Sequence, residues 1–131
     1  MPLSERDYRR LLEVRTGLRR FIRWSEEEAA AHGISAAHHQ LMLAVRGHPG
    51  DADPSIRDIA ESLLLRHHSA VELIDRAAVA GLIKRVSDKD DRRITRITLT
   101  ARGNRLLEQL TSRHMEELAR FVPELSKLIA V

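Results

Sequence analysis

The chain has 131 residues, of which 43% are hydrophobic and 31% are charged, with a formal net charge of +3 at pH 7. This size and composition predict a single soluble domain, residues 1–131, that buries a core of its own. The absence of cysteine excludes disulfides and thiolate metal sites and fits a cytoplasmic location, and the lack of a long apolar run or signal peptide predicts no membrane partner.

A long helix is predicted over residues 4–31. Ser4 followed by Asp7 resembles a capping box, and Gly33 is expected to end the helix as the residue after its C-cap. Apolar residues recur at helical spacing along it: Tyr8, Leu11, Leu12, Leu18, Phe21, Ile22 and Ala29. The arginines between them are interpreted as a solvated face.

Three shorter elements follow in the middle of the chain. Ser35 is expected to cap a second helix that reaches about residue 45 and turns Leu41, Met42 and Val45 inward. Residues 47–54 contain two Gly, two Pro and two Asp and predict a loop. A third helix begins at Ser55, and its predicted apolar stripe consists of Ile56, Ile59, Ala60, Leu63 and Leu64.

A fourth helix over residues 67–80 comes after a tight turn and stops at Gly81. Its predicted inward residues are Ala70, Leu73, Ile74, Ala77 and Ala78. Residues 81–103 then predict a β-hairpin, since Ile97 and Leu99 alternate with polar residues and the tip at 87–93 is too polar for a core. Such a hairpin has only marginal stability on its own and must pack against helices.

Positive charge is concentrated on this hairpin. From Lys84 to Arg105 there are eight Lys or Arg residues against three Asp, a local charge of +5. A projecting element with this charge is expected of a protein that meets a polyanion. Two helices joined by a tight turn and followed by a basic hairpin form a winged helix-turn-helix.

The last predicted element is a long helix that Thr100 caps and that Pro123 breaks or kinks. Its apolar residues are Leu106, Leu107, Leu110, Leu118, Phe121, Val122, Leu125, Leu128 and Ile129. The terminal helices, about 1–33 and 101–131, carry more apolar surface than a small winged helix needs, so we expect them to form a homodimer interface. The expected fold class is mainly α with a small β-hairpin, with a DNA-binding lobe at about 35–100, a recognition helix at 66–80 and a wing at 82–99.

Two motifs in this arrangement resemble the multiple antibiotic resistance regulator (MarR) family of transcription factors. Asp91-Arg92-Arg93-Ile94-Thr95-Arg96-Ile97-Thr98-Leu99-Thr100, followed by Gly103, fits the family's wing pattern of Asp-x-Arg, a spacer and Leu-Thr. Residues 71–76 leading into 81–85 look like the end of the family's recognition helix running into the wing. The resemblance implies a homodimeric, sequence-specific regulator, with two recognition helices on a pseudo-palindromic operator in double-stranded DNA and wings in the flanking minor grooves.

By this resemblance Arg93 enters the minor groove, Asp91 holds it, and Arg92 lies at a phosphate. A guanidinium suits the negative potential of a narrow A·T minor groove, and a neighbouring carboxylate can fix its direction before binding. The alternative interpretation is that Asp91 and Arg93 only stabilise a tight turn.

The candidates for major-groove contacts lie at the front and outer face of the recognition helix: Arg66, His67, His68, Ser69, Glu72 and Arg76. Arg or His can donate to guanine, Ser can serve a base or a phosphate, and Glu can accept from cytosine N4. In the family a small hydroxyl residue is common where Glu72 stands. The predicted function is a repressor that a small ligand releases from DNA.

The family often binds a small anionic or aromatic ligand between its dimerisation helices and its DNA-binding lobe. The candidate ligand residues here are Arg23, Trp24, His38, His39 and Met42. Packing and surface roles for these residues are the alternative, and Trp24 and Phe21 are first interpreted as core or dimer-interface residues.

Other chemistries compete with this function. Adjacent His38-His39 and His67-His68 diverge by about 100° on a helix and cannot share one ion, but a zinc site built across helices from His32, His38, His39 and nearby Glu would make a metal-responsive regulator. A winged helix that binds only proteins is a further alternative, against which the arginine-rich wing argues. The sequence has no phosphate-binding Gly loop, nucleophile elbow or His-Glu-x-x-His motif, so we expect no enzyme, cofactor or resident metal.

Overall fold

The computed structural model describes residues 2–129, which form five helices and one two-stranded sheet. The elements follow in the order α1 (Glu5–Ala31), α2 (Ala36–Arg46), α3 (Ile56–Leu63), α4 (His67–Val79), β1 (Ile83–Ser87), β2 (Thr95–Leu99) and α5 (Ala101–Ile129). Met1, Ala130 and Val131, at the ends of the predicted 1–131 domain, lie outside the described residues.

Local hydrogen bonds fix the beginnings of the helices where the sequence predicts them. At α1 the Asp7 carboxylate accepts the Ser4 backbone N–H at 2.9 Å while the Ser4 hydroxyl accepts from the Asp7 N–H, which completes a capping box. Ser55 and Asp58 form the same box at α3. Each box satisfies two backbone donors that a helix start would otherwise leave unpaired.

The end of α3 differs from the sequence prediction. Leu64 was expected in the apolar stripe, but it has φ 56° and ψ 43° and its side chain is 92% exposed. The next N–H, that of Leu65, returns to the Ala60 carbonyl at 2.9 Å. A left-handed residue is needed here to stop the helix and turn the chain into α4, so the requirement of the turn overrides the burial of Leu64.

The hairpin pairs Ile83 with Leu99 at its base and Ser87 with Thr95 near its tip. Ile83, Ile97 and Leu99 are buried against the helices, whereas Val86 lies on the exposed face. The largest fully buried side chains are Leu41, Met42, Ile59, Ile74, Leu82, Ile97, Leu110 and Pro54, and one core cluster contains residues of the lobe together with Leu107 and Leu110 of α5. Burying one such side chain contributes about 1.5–3 kcal/mol, and this shared core is what fixes the hairpin on the helices.

The two terminal helices bury only the ends that touch the lobe. Ala29 of α1 and Leu107 and Leu110 of α5 are buried. Others, such as Phe21 and Phe121, which stack on each other, are half-buried. The large apolar residues that stay exposed are Tyr8, Leu11, Leu12, Leu18, Ile22, Met115, Val122 and Ile129. This apolar surface is available for packing against another helix.

Helix α5 runs without interruption through Pro123, so the break predicted as one outcome at this residue is wrong. Pro123 is exposed, and there the carbonyl that loses its helical partner can be hydrated instead. The predicted cap is confirmed, since the Thr100 hydroxyl accepts the Gly103 N–H at 3.0 Å. Between residues 2 and 129, no helix combines the length and apolar character that crossing a membrane requires.

Candidate nucleic-acid interface

Helix α4 presents a polar face opposite its buried one. Ala70, Leu73, Ile74 and Ala77 anchor the helix in the core. The six predicted major-groove residues are all accessible: Arg66, His67, His68, Glu72 and Arg76 are exposed, and Ser69 is half-buried. The structure therefore places the predicted set at the start and along the accessible sides of one helix.

The start of α4 is suited to a phosphate. Arg66 is the N-cap residue, and its side chain makes no capping hydrogen bond. The first backbone N–H groups of the helix thus keep their capacity to donate, and the helix dipole adds positive potential at the same point. A DNA phosphate is a natural acceptor for such groups.

A pair that the sequence interpretation did not single out connects this helix to the hairpin. Arg85 of β1 donates through its Nη2 to the Asp75 carboxylate of α4. Both residues lie in the motif that runs from the recognition helix into the wing, but their spacing of ten residues gives no local signal of contact. The pair fixes the wing relative to the face of α4.

At the wing tip, the carboxylate of Asp91 is placed to orient the guanidinium of Arg93. The Asp91 carboxylate accepts from Arg93 Nε and Nη2, both at 3.0 Å, and from the Arg93 backbone N–H at 3.1 Å. The side-chain bond from Arg93, followed by the backbone bond, lowers the pKa of Asp91 below its usual value. The Arg93 side chain is nonetheless 90% exposed.

This geometry accommodates both interpretations of the pair. The backbone bond stabilises the tight turn, and the two bonds to the guanidinium set its direction while leaving it open to solvent. Arg92 is also exposed beside it. The tip therefore presents two accessible guanidinium groups, and the Asp91 carboxylate already orients that of Arg93.

A second carboxylate organises the base of the tip. Asp88 accepts the backbone N–H groups of Asp90 at 3.1 Å and Asp91 at 2.8 Å, and it accepts from Arg96 Nε at 3.0 Å. The bond from the Asp91 N–H, followed by that from Arg96, lowers the pKa of Asp88. Sequence reasoning missed this contact, although an Asp two or three residues before a turn is a recognisable local signal.

The predicted ligand residues are brought together only in part. His39 and Met42 are buried, and the His39 ring lies 4.7 Å from the ring of His114 in α5, which itself lies 4.8 Å from Trp24. His38 is half-buried, and Arg23 is exposed and bonded to Glu27 at 3.3 Å. Burial, and secondly the nearby His114, lower the pKa of His39 to about 4, so this ring is neutral at pH 7.

An open groove lies elsewhere than this cluster. The groove, of about 740 Å³, runs between the distal parts of α1 and α5, where Leu12, Phe21, Phe121 and Leu125 line it. None of the five predicted ligand residues lines it. Sequence spacing does not predict the cluster of Trp24, His39 and His114, because His114 lies in α5, far along the chain from the other two residues.

The histidines proposed for a zinc site have other neighbours. His32 Nδ1 lies 2.8 Å from the Glu28 carbonyl oxygen, and His39 faces His114. Among residues 2–129, no three His, Asp or Glu side chains are placed to hold a metal ion.

Comparisons with known proteins agree with this fold. Residues 32–94 match the MarR family. Over 66 residues the chain is 32% identical to the uncharacterized HTH-type transcriptional regulator YsmB of Bacillus subtilis (strain 168), a match that covers 50% of this chain and only 45% of that protein.

Solved structures extend the likeness to almost the whole chain. AbsC, a MarR family transcriptional regulator from Streptomyces coelicolor, superimposes with a TM-score of 0.75 at 20% identity, covering 99% of this chain and 93% of AbsC. A mutant of MarR from E. coli, complexed with operator DNA, gives a TM-score of 0.68 at 20% identity over 87% of this chain and 77% of its own. The winged-helix fold class predicted from the sequence is confirmed.

Proposed function

We propose that this chain, whose residues 32–94 match the MarR family, acts as a homodimer that binds a pseudo-palindromic DNA operator in the cytoplasm and regulates transcription. The observation that carries the proposal is Arg93, exposed at the end of a basic hairpin and aligned by two bonds to Asp91. A cation held in this way loses little side-chain freedom on entering a narrow minor groove.

In this proposal α4 and the wing divide the recognition of DNA. Arg66, His67, His68 and Ser69 contact bases and phosphates of the major groove from the first turn of α4, with Glu72 and Arg76 further along the same helix. Arg93 reads the width of the adjacent minor groove and Arg92 contacts its phosphates.

The dimer is supported by the unburied parts of α1 and α5. Leu11, Leu12 and Ile22 of α1 and Met115 of α5 are each more than half exposed. Together with the open groove between the same helices, they form an apolar surface that a second copy can cover. A two-fold dimer would present two α4 helices to half-sites about one DNA turn apart.

We further propose that the protein is a repressor and that a small anionic or aromatic ligand releases it. The cluster of Trp24, His39 and His114 supports a response at this point, since it joins α1, α2 and α5 where the terminal helices meet the DNA-binding lobe. A change in that junction would alter the separation of the two α4 helices and lose the register of the half-sites. Benzoate, as an aromatic anion, is a suitable probe, with fluorescence of the single Trp24 as the readout.

The proposal is tested by fluorescence anisotropy with the DNA upstream of the protein's own gene. We expect saturable binding of two protomers per operator at moderate salt, with much weaker binding to scrambled DNA. Arg93→Ala should weaken binding and reduce the salt dependence by about one ion per wing. Arg23→Ala is the matched control, because Arg23 is also an exposed arginine paired with a carboxylate but lies on α1.

Two outcomes would count against this function. Binding that does not distinguish the upstream DNA from a scrambled sequence would exclude a sequence-specific regulator. Equal affinity and equal salt dependence for wild type and Arg93→Ala would show that the wing is not a nucleic-acid element and would favour a winged helix that binds proteins.

A further inference from the structure

The wing contains one ion pair that is largely withdrawn from solvent. The side chains of Asp88 and Arg96 are 16% and 22% exposed, whereas the Arg93 side chain only a few residues away is 90% exposed. This contrast sets the pair apart from the exposed arginines of the wing tip, Arg92 and Arg93, which are free to meet DNA.

The Asp88 carboxylate controls the backbone that leads into the tip. Its Oδ2 accepts the N–H groups of Asp90 and Asp91, and its Oδ1 accepts Arg96 Nε from the opposite strand. Asp91 is the residue that holds Arg93. Asp88 therefore fixes the position of the holder.

Arg96 extends this control to another part of the fold. Its Nη1 donates to the Asp53 carbonyl oxygen at 3.1 Å, and its backbone forms an antiparallel bridge with Ser55. The N–H of the next residue, Ile97, donates to the Pro54 carbonyl at 2.9 Å. Residues 53–55 lead directly into α3, so the wing is held against the start of the helix-turn-helix.

We propose that Asp88 and Arg96 are positioning residues that set the direction in which Arg93 leaves the wing, and that neither side chain contacts DNA. This inference rests on the proposed function. Asp88 fixes Asp91, Asp91 fixes Arg93, and Arg96 fixes all three relative to α3. Despite its place in a basic segment of the chain, Arg96 belongs to this internal support.

The direction in which Asp88→Asn changes DNA affinity distinguishes a positioning role from a purely electrostatic one. Removing a negative charge beside DNA by Asp88→Asn should tighten binding if only charge matters. If Asp88 positions the tip, the same change should weaken binding, by about threefold to tenfold, because Arg93 must then be immobilised on binding. Asp90→Asn is the matched control, since Asp90 is exposed and uses only its backbone N–H in this network, so that change should leave binding unchanged or tighter.

The experiment is a double-mutant cycle in the same anisotropy assay with full-length protein. Asp88→Asn should weaken binding in the wild-type background. It should have almost no effect in the Arg93→Ala background, because the Arg93 side chain that Asp88 positions is absent there. Arg96→Lys keeps the charge but cannot reach both Asp88 and the Asp53 carbonyl, so it should weaken binding while leaving the salt dependence unchanged. Urea unfolding of each variant separates these effects from loss of folded protein.

The outcomes are distinguishable from those of the proposed function. If wild type binds its operator and Arg93→Ala weakens binding, but Asp88→Asn binds as tightly as Asp90→Asn, the positioning role is refuted alone. An equal loss from Asp88→Asn with and without Arg93 would also refute it, as would a reduced salt dependence in Arg96→Lys. Wild-type protein that binds no DNA would refute both proposals.

Discussion

Gly103 lies where the backbone at the start of the wing passes over the first turn of α5. A Cβ atom added to Gly103 would lie 2.1 Å from the Leu82 carbonyl oxygen and 3.1 Å from the carbonyl carbon. These are backbone atoms and cannot rotate away, and the same Leu82 carbonyl accepts the Thr100 N–H at 3.1 Å. Gly103→Ala must therefore move the wing away from α5 or distort the helix.

The expected loss of stability follows from two opposing terms. Forcing a methyl group into a packed contact costs about 3 kcal/mol when the neighbour cannot yield, and the higher helix propensity of Ala returns about 1 kcal/mol. We therefore expect Gly103→Ala to lower the free energy of unfolding by about 2 kcal/mol. Gly17→Ala is the matched control, because its Cβ would make an ordinary contact of 3.8 Å with Phe121. It should raise the free energy of unfolding by about 1 kcal/mol.

The assay is urea unfolding of both variants and wild type, followed by far-UV circular dichroism at one fixed protein concentration, because the proposed dimerisation would contribute to apparent stability. The two midpoints should shift in opposite directions at a similar denaturant dependence. A Gly103→Ala variant as stable as wild type would refute the close approach of the wing to α5, and a shift of both variants in the same direction would refute the reasoning about the methyl contact.

Two further predictions concern the junctions of α5 with the rest of the fold. Because the pKa of buried His39 is lowered to about 4, an unfolded chain takes up a proton below about pH 6.5 and the folded chain does not, so the free energy of unfolding should fall by up to roughly 3 kcal/mol from pH 6.5 to 4. His39→Gln should flatten this dependence in urea unfolding at several pH values, whereas exposed His67→Gln should not. Thr100→Val removes the cap of α5 and the bond to the Gly81 carbonyl at 2.6 Å, and it should lower the free energy of unfolding by about 2 kcal/mol, measured in urea at pH 7. An unchanged midpoint would show that neither bond contributes.

The features that the sequence predicts correctly are those that neighbouring residues decide. A capping box needs only four consecutive residues, so Ser4 and Ser55 could be placed from the sequence alone. Leu64 could not, because its spacing fits the apolar stripe of α3 and only the path of the chain into α4 requires a left-handed residue there. The same holds for Arg96, whose partner carbonyl at Asp53 lies 43 positions earlier.

In the candidate site, too, local contacts could be predicted from the sequence and contacts between distant elements could not. The wing tip is local, and the pairing of Asp91 with Arg93 has the geometry expected from a two-residue spacing. The ligand set was drawn from α1 and α2 alone, whereas the residue that brings Trp24 and His39 together is His114 of α5. A contact between helices distant in sequence has no periodic signal, so the cluster became visible only in the fold.

The contacts of the wing also determine how a signal could reach it. Three helices hold the hairpin: α4 through the pair of Asp75 with Arg85, the start of α3 through Arg96, and α5 through the contacts of Thr100 and Gly103. A hairpin fixed on three sides cannot swing independently of α4. In the proposed dimer, movement of α5 would therefore displace the wing and α4 together. A ligand at the junction of α1, α2 and α5 would thus change major-groove and minor-groove contacts in one step, and variants of Arg93 and of the α4 face should lose the same ligand response rather than separate parts of it.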